Sequence, residues 1–218
     1  MERARSAAQH TTDAIRIGVS PTTPASFIAR MRGSFADILP GMRFQFVPFD
    51  NTPENAHEIL GHLGQNIDIV GGIVDESIVE RNHCAATILA EVPVRLGMPF
   101  NHPLSMMDEL DPKDLDGQTI MTLRRDYMTE MDRVRDYLAR EHPSCHLQDF
   151  GFYDTEAFNA AENQGALIVA MDEWASINPL LRIVPVRWSF TLPFGILHAP
   201  DPSPEVKTCL AAFKRNFR

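Results

Sequence analysis

Cysteine is scarce in this chain. Cys84, Cys145 and Cys209 stand far apart among 218 residues. An odd, widely spaced set gives no disulfide framework and fits reduced thiols in a cytoplasmic protein. No apolar run approaches the roughly 20 residues of a membrane-spanning helix, so no membrane partner is expected. The opening stretch, MERARSAAQHTTDAIRIG, lacks the apolar centre of an export signal. There is no dense Lys/Arg run. With 20 basic against 29 acidic residues the formal net charge is −9, which repels a phosphate backbone. If the protein acts at DNA, the reading part belongs elsewhere.

Catalytic signatures are missing too. No phosphate-binding Walker loop and no G-x-S-x-G elbow occurs. His57-Glu58 begins like a zinc-protease helix, but position 61 is Gly61, and His62 lies on another face of the helix. His142, Cys145 and His146 have no second ligand pair at matching spacing. Paired carboxylates and activated nucleophiles are not evident either. The sequence therefore predicts no catalytic residue, no metal and no cofactor, hence a protein that is not an enzyme.

What is present is an alternation of elements. Hydrophobic residues make up 44% and charged residues 22%, as in ordinary globular chains. The length suits one large domain or two modest lobes. Ile15–Val19 is strand-like. Phe27, Ile28, Met31, Phe35 and Ile38 recur at helical spacing, predicting a helix over 25–39 stopped by Pro40-Gly41. Arg43–Phe49 alternates as a strand does. A helix over 53–64 and a strand over 67–70, turning at Gly71-Gly72, complete a β-α-β-α-β series and so a largely parallel sheet. Beyond it, 86–98 reads as one strand, 114–122 as loop and strand, and 128–140 as a helix. Strands over 147–152, 165–171, 181–186 and 194–198 follow, with helices over 154–163 and 204–217.

Several segments, in this order, resemble the effector-binding domain of LysR-type transcriptional regulators. They are IRIGVSPTT, SFADILPGMRFQFV, HEILGHLGQNIDIVGGIV, RLGMPFNHPL, DPKDLDGQTIMTL, YDTEAFNAAENQGALIVAM and SPEVKTCLAAFKRNF. The likeness spans residues 15–218. It departs from the family pattern at Leu167, where a second Gly is usual, at Met171, near a usual Pro, and at Asp154, where a small hydroxyl is common. The resemblance implies an α/β fold of the type 2 periplasmic-binding-protein kind: two Rossmann-like lobes joined by two crossover strands. Lobe one would hold 15–98 plus 192–218, and lobe two 99–191. Residues 1–14 would be the remnant of a linker helix or a disordered tail. It further implies a small-molecule effector, an organic acid in particular, a homodimer through lobe–lobe contacts, and DNA binding only through a helix-turn-helix domain absent from this chain. A solute-binding protein of a transporter shares the plan and is the alternative.

The site expected on this plan lies where strands end and helices begin, since helix N-termini offer free N–H groups to anions. Ser20, Thr22 and Thr23 occupy one such turn, either as ligand contacts or as N-caps. Gly72 and Val74 follow the third strand. From the second lobe come Thr122, Arg124 and Arg125, an arginine there being suited to a bidentate carboxylate contact or to pairing with a nearby acid. Tyr153 and Asp154 close the last turn, Asp154 as a ready N-cap.

Overall fold

The computed structural model describes residues 14–31 and 35–217. The segment 1–14 lies outside them except for Ala14, which opens the first strand. Ten strands follow in the order β1 (Ala14–Val19), β2 (Arg43–Pro48), β3 (Ile69–Ile73), β4 (Ala85–Pro93), β5 (Arg95–Pro99), β6 (Thr119–Leu123), β7 (His146–Phe150), β8 (Leu167–Ala170), β9 (Leu181–Pro185) and β10 (Thr191–His198). Five longer helices accompany them: α1 (Pro53–Gly61), α2 (Glu76–Asn82), α3 (Thr129–Glu141), α4 (Thr155–Gln164) and α5 (Pro204–Asn216).

The strands form two sheets with the same plan. One has the order β2-β1-β3-β10-β4 and the other β7-β6-β8-β5-β9. In each, three strands run parallel, and a fourth is antiparallel to both its neighbours. That fourth strand is exchanged: β10, late in the chain, completes the first sheet, and β5 completes the second. The chain thus crosses between sheets twice. Two mixed sheets with helices on their faces, joined by two crossings, match the two-lobed fold expected from sequence.

The parallel units arise as the residue pattern dictates. Thr52 caps α1 by accepting from Asn55 N, and Pro53 takes the first helical position. In α3, Met131, Val134 and Leu138 recur on one buried face. Asp154 caps α4 by accepting from Ala157 N at 2.9 Å. Val206, Cys209, Leu210 and Phe213 press α5 against its sheet.

Tertiary contacts override the periodic pattern in four places. The helix predicted over 25–39 is a 3-10 turn, Ala25–Arg30, and a single α-turn, Phe35–Ile38. Met31 is extended and forms a β-bridge with Phe217, so the C-terminal end of the chain takes the backbone that the helix would have used. The strand predicted over 86–98 is two strands. Between them Val94, buried, donates its N–H to Phe190 O and accepts from Trp188 Nε1, both at 3.0 Å, as the chain passes from one sheet to the other. Gly71 and Gly72 are not a turn but the middle of β3. A Cβ on Gly71 would come within 2.5 Å of the Phe27 ring, so close packing, not turn geometry, requires glycine there. The last difference is α2, which the sequence pattern did not suggest; Asp75 caps it through Ser77 N at 2.9 Å.

Candidate functional site

The carboxyl ends of the parallel strands converge on the gap between the two sheets, as open α/β sheets require of a ligand crevice. A cleft of about 510 Å³ lies there. Thr22 and Thr23 reach it from the end of β1, Phe49 and Asn51 from β2, and Gly72 and Ile73 from β3. Lobe two supplies Arg124 after β6, Phe152 and Tyr153 after β7, and Trp174 after β8. Its walls are mostly apolar, as is usual for small-molecule sites.

Of the residues singled out from sequence, the cleft gathers Thr22, Thr23, Gly72, Arg124 and Tyr153. Thr22 is buried; its Oγ1 accepts from Asn51 Nδ2 at 2.5 Å, and its carbonyl accepts from Trp174 Nε1 at 2.9 Å. Tyr153 is a wall built into the core. Its hydroxyl donates to Val169 O at 2.9 Å, its ring packs 4.4 Å from Trp174, and burial pushes its phenol well above the ordinary tyrosine range. The other five lie off the lining. Ser20 is engaged by its own turn, its hydroxyl 2.7 Å from Thr23 Oγ1. Val74 donates its N–H to Pro193 O. Buried Thr122 accepts from Arg135 Nη1 at 2.8 Å, on the α3 side of its sheet. Arg125 is exposed and paired with Asp136 at 2.6 Å, and Asp154 is occupied as the α4 cap.

Several lining residues escaped the sequence reading. Arg81 and Asn82 lie on the unforeseen α2. Asn51 belongs to the loop after β2, and Trp174 to a 3-10 turn after β8. Tyr127 sits between two cations: the guanidinium carbons of Arg81 and Arg124 lie 4.3 Å and 5.3 Å from its ring centroid. Burial raises the Tyr127 phenol pKa, and the two arginines oppose that rise. Neither Arg81 nor Arg124 has a carboxylate at salt-bridge distance among the described residues. One arginine comes from each lobe, and both line the cleft.

The lobes touch across this cleft. Asn51 Nδ2 donates to Tyr153 O at 2.8 Å, and Ser77 Oγ to Tyr127 O at 2.9 Å. Asp75 does more: besides capping α2, its Oδ2 accepts at 2.9 Å from Thr129 N, the first residue of α3. The rim pair Arg30–Glu173 closes at 2.5 Å.

The other sequence candidates are held by structure. His142 meets Asp116 at 3.0 Å, while the Cys145 thiol donates to Leu115 O at 2.9 Å. No group of three or more His, Cys, Asp or Glu side chains placed to hold a metal ion occurs among the described residues. No helix among them is long and apolar enough to cross a membrane.

Comparison with known proteins fits this geometry. The family model of the LysR substrate binding domain matches residues 8–218. Comparison with curated proteins returns no match. Among solved structures, the chain is similar to CbnR, a LysR family transcriptional regulator, at 12% identity and a TM-score of 0.66, over 99% of this chain and 74% of that one. The effector binding domain of QuiR in complex with shikimate is similar at 13% identity and a TM-score of 0.64, over 94% and 97%. The regulatory domain of Synechocystis PCC6803 CcmR in complex with 2-PG follows at 14% identity and 0.56, over 93% and 96%. At such identities the likeness speaks for the fold. The family match runs along nearly the whole sequence, and by it the chain belongs to the LysR substrate binding domain family.

Proposed function

We propose that this domain is the sensor of a LysR-type transcriptional regulator and binds a small organic acid between its lobes. The observation that carries the reading is the pair Arg81 and Arg124: two guanidiniums, one per lobe, facing a mostly apolar cleft with no carboxylate of their own. A cation at such a site favours an anionic ligand, and a planar guanidinium suits a carboxylate in particular. Thr22, Thr23 and Gly72 form the lobe-one side of that site, and Phe152 and Tyr153 the lobe-two wall. The QuiR effector binding domain was solved in complex with shikimate and the CcmR regulatory domain in complex with 2-PG, and family membership favours a regulator over a transporter's solute-binding protein.

A ligand spanning the lobes acts by preferring one lobe arrangement over another. In the whole regulator that preference would reach DNA through a separate helix-turn-helix domain. The division of lobes follows the sheets, with the first change at Val94 between β4 and β5 and the second between β9 and β10. Two copies pairing lobe to lobe complete the proposal.

Calorimetric titration with a panel of organic acids tests it. Arg81→Ala and Arg124→Ala should each weaken acid binding by about tenfold or more, the usual worth of a hydrogen bond to a charged group. Binding confined to neutral or cationic compounds, or acid affinity untouched by both substitutions, would refute it.

A further inference from the structure

α1 stands apart from the other long helices. α3, α4 and α5 each bury several side chains, whereas α1 buries none. Yet α1 has an inward stripe. Pro53, Ala56, His57 and Leu60 stand at the spacing of one helix face, and all four line the cleft. Leu60 packs at its edge against the buried cluster of the first sheet, and the stripe as a whole borders the cleft. Opposite it lie Val70 and Leu197 of the first sheet, which also line the cleft. The cavity that begins at the two arginines thus continues beneath α1 as an apolar arm. At 1.5 Å per residue the stripe from Pro53 to Leu60 spans about 10 Å.

The polar groups of this arm answer one another. Asn82 Nδ2 donates to Ile78 O at 2.8 Å, so its Oδ1 is the atom 2.7 Å from His57 Nδ1 and accepts from it. His57 therefore carries its proton on Nδ1, and the pair ties α1 to α2 across the arm. A compact polyhydroxylated acid would find little here to bond beyond His57 Nε2, and would leave apolar walls wet.

We propose that the effector is an elongated amphiphilic acid, its carboxylate at Arg81 and Arg124 and an unbranched apolar body about 10 Å long beneath α1. This rests on the acid reading above and adds the shape and polarity of the ligand. Leu60 and Ala56 then set the length that is accepted.

The experiment is a titration of the folded domain with butyrate, hexanoate and octanoate, with octanol and shikimate as references. Affinity should rise about fourfold per added methylene, the equivalent of about 0.8 kcal/mol, and shikimate should bind more weakly than octanoate. Ala56→Trp, which fills the arm, should abolish the gain with length. Leu60→Gln, milder toward folding, should flatten the series by making the wall polar. Equal affinity along the series overturns the apolar arm while leaving an acid site in the cleft. Octanol binding as tightly as octanoate overturns the acid head, and with it the reading on which this one rests. Failure of all the probes to bind overturns both.

Discussion

Burial tunes single residues outside the cleft as well as within it. His102 begins a 3-10 turn, Pro103–Met106, and its Nδ1 accepts from Leu104 N at 3.2 Å, which requires that nitrogen to be unprotonated. Desolvation lowers its pKa, against a smaller opposing effect of the hydrogen bond its ring donates to Gln118. The folded state thus disfavours the imidazolium relative to the unfolded chain. His102 contributes stability that is full above the unfolded pKa of about 6.5, and is lost as the pH falls from there through the lower folded value. His102→Asn keeps a capping side chain without a titratable ring. Urea unfolding across pH 5–7.5 should show the wild type losing stability on the acid side more steeply than the variant; parallel curves would rule this out. The same scale shows the limit of sequence for the site. A strand end followed by Arg124 and Arg125 announces a cation, but neighbours point apart, and only the fold separates Arg124 in the cleft from Arg125 on Asp136.

Elements were legible where the pattern is long: α3 and α5 follow from apolar periodicity, and α4 from periodicity with Asp154 at its start. α2 is seven residues with no more than one buried position, and such a segment carries little periodic signal. With α2 unforeseen, Arg81 and the α1-facing Asn82 were unforeseen too. Asp75 makes α2 consequential, because one carboxylate serves two helix N-termini in different lobes, Ser77 N in α2 and Thr129 N in α3. The residue preceding α3, Met128, supplies no side-chain cap, so Asp75 stands in for one. Asp75→Ala leaves both helix starts uncapped and should cost about 1–2 kcal/mol, the range of a lost cap. Asp75→Asn retains an acceptor and should cost less. Chemical denaturation of both variants measures this, and equal losses would argue against a hydrogen-bonding role.

At the scale of the molecule, the repeated β-α-β order predicted parallel sheets, the family resemblance implied two lobes with a shared gap, and the two sheets bear out the lobes. What the order does not tell is how far apart the lobes rest, because that depends on contacts between residues distant in sequence. Three are hydrogen bonds made by different strand ends: Trp174 Nε1 to Thr22 O, Asn51 Nδ2 to Tyr153 O, and Thr129 N to Asp75. At a net value of about 1 kcal/mol each, they favour the closed arrangement by roughly two orders of magnitude, since every 1.4 kcal/mol is tenfold. The free domain should therefore rest closed, and a ligand can only add its own difference in affinity between the two arrangements. Removing two of the three, in the double variant Asn51→Ala/Asp75→Ala, takes away about 2 kcal/mol by the same reckoning and should raise the open population. Small-angle X-ray scattering of the free proteins should then give a larger radius of gyration for the double variant, with circular dichroism unchanged. If the two radii coincide while the variant stays folded, these hydrogen bonds accompany closure without holding it, and the Ser77–Tyr127 and Arg30–Glu173 contacts with the apolar packing around Trp174 and Tyr153 carry it instead.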